Sequence, residues 1–127
     1  MNTEPERKDL HDGPERMEEL DVGGFFRYRL AVGTITHAEP NLRARVPAYV
    51  LRVNFGPYGE KSSSAQLTAR YRPRDLVGRQ VVGVLNFPVK RIAGVASEVL
   101  ILGGMVGPAD VVLLAPDAPV PDGTPIA

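Results

Sequence analysis

The clearest pattern lies between residues 48 and 55. Tyr49, Leu51, Val53 and Phe55 are apolar, while Arg52 and Asn54 between them are polar. Side chains of a strand alternate between its two faces, so this segment is predicted to be a strand with one apolar and one largely polar face. Residues 25–37 give a longer strand signal, rich in aromatic and branched residues. Gly33 in its interior predicts a bulge or bend, which lets one long strand serve both sheets of a small barrel. Residues 62–68 read as a short polar strand, and residues 72–78 as one helical turn stopped by Gly78. The runs at 80–86, 98–102 and 111–115 are apolar without alternation, as in Val99-Leu100-Ile101-Leu102. Strands of that kind are covered on both faces. A chain this short cannot cover every such face itself, which predicts a homodimer.

At the ends, residues 15–20 are expected to form one helical turn, with Pro14 near its start and Gly23-Gly24 breaking it. Residues 116–127 hold four prolines and read as an extended tail. Several short strands, one helical turn and glycine bends predict an all-β fold, a small OB-fold Greek-key barrel with N- and C-terminal extensions. An SH3-like barrel or a β-sandwich also fits this pattern.

Composition refines the picture. At 127 residues, one domain is expected. The formal net charge is zero, but residues 1–21 carry eight acids against three bases, a net of −5. Residues 22–107 carry twelve bases against four acids, a net of +8, and residues 108–127 carry three acids. The expected organisation is an acidic, flexible leader over 1–21 and a basic barrel domain with a proline-rich tail over 22–127. The absence of cysteine excludes a disulfide framework and thiolate metal sites. No apolar run approaches the ~18 residues of a membrane helix, and the first twenty residues are too charged for a signal peptide. The expectation is a cytoplasmic protein with no membrane insertion.

The candidate chemistry consists of hydroxyls, amides and cations. Ser62-Ser63-Ser64 and Gln66 can donate to phosphate and ribose oxygens, contacts that position a nucleic acid without reading its sequence, or they can be an ordinary solvated strand. Arg43 and Arg45 lie in a loop expected to flank the barrel mouth, where OB-folds bind ligands. Asn86 reads equally as a turn cap or an RNA contact. Tyr49 and Phe55 belong to the apolar stripe, whereas Tyr58 and Tyr71, beside turns, are candidates for base stacking. Arg72, Arg74 and Arg79 read as solvated surface. His11 and His37 lack matching ligands, and Gly103-Gly104-Met105-Val106-Gly107 lacks the Lys-Ser/Thr of a phosphate loop. No metal, no cofactor and no enzymatic activity are expected.

Several segments taken in order carry a resemblance. They include Val32-Gly33-Thr34-Ile35, Pro47-Ala48-Tyr49, Asn54-Phe55-Gly56, Ser63-Ser64-Ala65-Gln66-Leu67-Thr68, Asn86-Phe87-Pro88, Ser97-Glu98-Val99-Leu100 and Pro121-Asp122-Gly123-Thr124. Together they resemble the tRNA-binding-domain OB-fold family, in its CsaA-like export chaperone branch, from about residue 25 to 126. The resemblance implies an OB-fold homodimer that binds the structured outer corner of tRNA. The chaperone branch further implies binding of unfolded preproteins and of the export motor. Carried onto this chain, the RNA-binding residues are Arg45, Lys61, Ser63, Ser64, Gln66, Asn86, Lys90, Arg91 and Ser97. The alternative, a polypeptide-binding groove of the dimer, would use Phe87, Val89, Ile92 and Val95. Three departures bear on RNA affinity. Arg29-Leu30-Ala31-Val32-Gly33 stands where the family usually has Asp-Ile-Arg-Val-Gly. Arg45-Val46-Pro47-Ala48-Tyr49-Val50 lacks two of the family's usual lysines, and Leu100 replaces a frequent methionine.

Overall fold

The computed structural model describes residues 17–127. The leader of residues 1–16 lies outside the described residues, as does the start of the helical turn expected over 15–20. Residues 17–21 have no regular structure. The short helix is instead α1, Val22–Phe25, and it runs through Gly23 and Gly24 rather than ending before them.

Nine strands follow: β1 Leu30–Pro40, β2 Tyr49–Asn54, β3 Glu60–Ala65, β4 Gln80–Val84, β5 Lys90–Ile92, β6 Val95–Ser97, β7 Leu100–Ile101, β8 Gly103–Gly107 and β9 Asp110–Leu113. A 3-10 turn at Gly56–Tyr58 joins β2 to β3, and helix α2, Pro73–Leu76, precedes β4. The main sheet has the order β3-β2-β1-β4-β7, with antiparallel neighbours throughout. The free edge of β3 curls back onto β6 and β7. There the Glu98 N–H donates to the Ser62 carbonyl at 2.8 Å and nearly closes the ring. This strand order and closure make the all-β fold an OB-type barrel. The hairpins β5–β6 and β8–β9 are added to it.

The eleven-residue β1 pairs with β4 through Leu30–Thr34 and with β2 through Thr34–Pro40, so one strand does serve both sides of the barrel. Its irregularity lies between Ile35 and His37, not at Gly33, which keeps register with Val81. Gly33 is needed for a different reason. A Cβ there would lie 2.7 Å from the Phe55 ring, and one on Gly83 of β4 would lie 2.8 Å from the same ring. Phe55, fully buried, therefore rests directly on two glycine backbones at the centre of the core. Ile35, Leu51, Val53, Leu76, Val81 and Val99 surround it. The strand expected to start at residue 25 starts at Leu30, because residues 27–29 are held by Asn86 outside the sheet.

Tyr71, expected as an exposed stacking ring, is core. Its hydroxyl accepts from the Leu113 N–H at 3.1 Å, its carbonyl accepts from the Tyr49 hydroxyl at 2.7 Å, and Arg79 lies 5.1 Å over its ring. The proline-rich tail is extended and straps β1. Gly123 donates to the Val32 carbonyl, Val32 to the Thr124 carbonyl and Ile126 to the Leu30 carbonyl. The Thr34 hydroxyl donates to Asp122 at 2.6 Å.

Candidate nucleic-acid interface

Strand β3 supplies the first polar groups, and its register decides which of them are available. Lys61, Ser63 and Ala65 lie opposite Val53, Leu51 and Tyr49, whereas Ser62 and Ser64 lie opposite Arg52 and Val50. Directly opposed residues share a face, so Ser63 turns to the core and is only 2% exposed. Ser63 is therefore removed from the contact surface, while Ser64 is only half-buried. Ser62 is occupied differently. Its N–H and its hydroxyl both donate to one oxygen of Glu98, each at 3.0 Å. The backbone N–H of Ser62 is the main reason the Glu98 carboxyl is held below the ordinary glutamate range, with help from the hydroxyl, Lys61 and Arg52, against an opposing effect of burial.

The loop between β1 and β2 supplies cations. Asn41 organises it: its side-chain oxygen accepts from the Arg43 N–H, its N–H donates to the Ala48 carbonyl, and its carbonyl accepts from Ala44. This compact turn leaves Arg43 and Arg45 exposed. Facing the loop is the β5–β6 hairpin, whose two-residue turn is Ala93-Gly94, with φ of 48° and 83°. Positive φ at both positions is what a type I′ two-residue hairpin loop requires. A Cβ on Gly94 would lie 2.5 Å from the Arg43 guanidinium, so Arg43 rests on the hairpin turn.

Between loop, hairpin and the end of β3 lies an open groove of about 470 Å³. It brings together Arg43, Arg45, Ser64 and Gln66, with Val46 and Ile92 as apolar lining and no carboxylate among the described residues. Other arginines are engaged elsewhere: Arg52 with Glu60 at 2.6 Å, Arg70 with both oxygens of Asp110 at 2.8 Å, and Arg72 with Asp75 at 3.0 Å. Those partners hold Asp110 and Asp75 below the ordinary aspartate range. Arg79 donates to the Asp75 carbonyl at 2.8 Å.

The remaining expected residues separate into two groups. Lys90 pairs with Ser97 and Arg91 with Ala96 across the hairpin, and β6 packs beside β3, which carries Lys61. Lys61, Lys90, Arg91 and Ser97 do not line the groove itself; they lie on β3 and along the hairpin. Asn86 is committed to structure: it accepts from the Arg29 N–H at 2.8 Å and donates to the Arg27 carbonyl at 2.9 Å. It is exposed, with both polar ends of its side chain engaged as a clamp on that backbone. Of Phe87, Val89, Ile92 and Val95, Ile92 alone lines the groove; Phe87 and Val89 are exposed on the β4–β5 connection, and Val95 is half-buried. Sequence reasoning did not select Arg43 as a contact or find the hairpin. The available signal was Ala-Gly between two branched residues, weaker than the Asn-Gly usual in such turns. Among the described residues no His, Asp or Glu cluster is placed to hold a metal ion, and no helix is long and apolar enough to cross a membrane.

The fold is shared with known proteins. The chain is 51% identical to the chaperone CsaA of Bacillus anthracis str. Ames, with a TM-score of 0.83 over 87% of this chain and all of that one. Against the CsaA chaperone protein of Picrophilus torridus it is 36% identical, with a TM-score of 0.79 over 86% of this chain and all of that one. Methionine–tRNA ligase of Methanothrix thermoacetophila is 35% identical over 112 residues, 86% of this chain but 16% of that protein. That of Methanocaldococcus jannaschii is 28% identical over 120 residues, 94% of this chain and 18% of that protein. The chain thus spans less than a fifth of the curated relatives it matches. Residues 30–125 match the family described as "Putative tRNA binding domain", and the chain belongs to that family, with its likeness to solved structures in the CsaA branch.

Proposed function

We propose that this chain is a cytoplasmic RNA-binding module that grips folded, tRNA-like RNA by backbone and shape, without catalysis. Residues 22–127 form the module and residues 1–21 are an acidic leader to it. The observation that carries the reading is the groove in which Arg43, Arg45, Ser64 and Gln66 converge with no carboxylate among them. Guanidinium groups neutralise phosphates, and hydroxyl and amide groups hydrogen-bond phosphate and ribose oxygens. Lys61, Lys90, Arg91 and Ser97 extend the same surface along the hairpin. The test is binding of bulk tRNA by fluorescence anisotropy over a salt series. Binding is expected to weaken steeply with salt, and Arg43→Ala/Arg45→Ala is expected to weaken it at every salt and flatten the slope by about one per lost phosphate contact. Salt-independent binding, or an unchanged slope in the double variant, sinks this reading.

A second reading, a polypeptide-binding chaperone, is favoured by the likeness to the CsaA structures and by Ile92 in the groove with Phe87 and Val89 exposed nearby. Its ligands would be unfolded preproteins, and the export motor a further partner. Apolar peptide binding changes little with salt, so the same titration with an unfolded polypeptide in place of tRNA separates the two.

A further inference from the structure

One wall of the groove is hung on the barrel rather than woven into it. The β5–β6 hairpin pairs only with itself and belongs to no larger sheet. A further tie, from the Arg91 guanidinium to the Gly94 carbonyl, is also internal. Strand β6 packs beside β3 and Arg43 leans on the turn, yet among the described residues no hydrogen bond joins residues 88–97 to the barrel. The wall is fastened just past its last strand, at Glu98. The Glu98 N–H donates to the Ser62 carbonyl at 2.8 Å. One Glu98 carboxylate oxygen accepts from the N–H and from the hydroxyl of Ser62, each at 3.0 Å. Two of these three bonds are therefore made by the side chain.

A carboxylate is an odd group to keep on a surface that takes phosphate. It follows Ser97, which pairs with Lys90, and Lys61 and Arg52 lie near enough to act on its charge. A free glutamate there would repel a phosphate and weaken binding. Its hydrogen bonds give it another use. We infer that Glu98 is a positioning residue for RNA binding: by holding Ser62 it sets the hairpin wall against β3, so that Lys90, Arg91 and Ser97 meet the ligand together with Arg43 and Arg45. The ligand is that of the RNA reading above, on which this role rests. A carboxylate suits the task because hydrogen bonds to a charged acceptor are about twice as strong as neutral ones. The donors aimed at it also offset part of the field that would oppose a phosphate. Without the side-chain bonds the hairpin keeps three residue pairs of its own, one backbone bond at its base and the contact of Arg43 with its turn. A two-stranded hairpin is marginally stable by itself. Cations on a wall that moves must be ordered when RNA binds, and that ordering weakens binding.

The experiment compares three variants of the full chain with the wild type, in tRNA binding over a salt series and in backbone amide relaxation by NMR. Glu98→Ala removes the acceptor and the charge. Glu98→Gln keeps an acceptor of the same reach and removes the charge alone. Glu98→Asp keeps the charge but stops one carbon short of Ser62. The alanine and aspartate variants are expected to bind tRNA about tenfold more weakly. Their salt slopes should flatten by up to about two as Lys90 and Arg91 drop out. Amides of residues 90–97 should become more mobile in them, while those of β1 and β4 do not change. Glutamine should keep the hairpin ordered and bind tRNA at least as tightly as glutamate does. The loss on Glu98→Ala should vanish in a Lys90→Ala/Arg91→Ala background, a non-additivity that general destabilisation does not produce. If the alanine variant does not fold, the aspartate variant carries the same comparisons. Three results overturn the role alone: a folded alanine or aspartate variant that binds tRNA as tightly as the wild type or more tightly, a hairpin whose relaxation does not change, or an equal loss in the background without the two cations. A wild type that binds no tRNA overturns the RNA reading and takes this role with it.

Discussion

One oxygen of Glu98 accepts two hydrogen bonds from Ser62, and this pair fastens β3 to the chain between β6 and β7. The carboxyl is held below the ordinary glutamate range, so the folded state favours its charged form. A depressed acid contributes stability that is present above its unfolded value, near ~4.3, and is lost as pH falls through the folded value. Glu98→Gln is therefore expected to lower the melting temperature at neutral pH, with the gap to the wild type closing below about pH 4. A gap independent of pH would mean that charge is not what this side chain contributes. The three consecutive serines show what a sequence leaves open at this scale. Their chemistry is legible, but a slip of one residue exchanges their faces. Only pairing with β2 turns Ser63 inward opposite Leu51 and leaves Ser64 toward the groove. Asn86 was ambiguous for a similar reason, since its partners Arg27 and Arg29 lie nearly sixty residues away in sequence.

Elements long enough to show a period were legible. The alternation of β2 located the strand to within about a residue at each end, and the apolar runs located β4 and β9. The β5–β6 hairpin has three residues per strand and no alternation long enough to register, yet it forms one wall of the groove. Its turn ties fold to site. Gly94 has φ of 83° and Arg43 lies where a side chain would start. Gly94→Ala forces a left-handed alanine, at about 1–2 kcal/mol, and pushes Arg43 off the hairpin. Expected outcomes are a lower melting temperature and weaker tRNA binding, with amide shifts by NMR reaching the 41–48 loop. Shifts confined to the hairpin would show that Arg43 holds its place without the turn.

At the scale of the whole molecule, the barrel leaves one flank thinly covered. Val111, Val112 and Leu113 of β9 are apolar but only half-buried, Val106 is 68% exposed and Leu114 48%. The run at 111–115, which holds β9 and Leu114, is one of the three whose unbroken apolar sequence predicted cover from outside the chain. A homodimer through this flank is expected, with a solution mass by light scattering of twice the 13.7 kDa chain. Val106→Glu/Leu114→Glu should shift that mass toward one chain without loss of strand signal. A wild type that stays at one chain up to high concentration would leave the flank for another partner. The strap of the tail along β1 has a different consequence. Ile126 hydrogen-bonds to Leu30, so the fold begins and ends at neighbouring points. A barrel of this kind can be spliced into a longer polypeptide at a single place, entering and leaving like a bead on a loop. Nothing in the host has to bridge its width, and the groove, built from the 41–48 loop, β3 and the hairpin, does not depend on what is fused there.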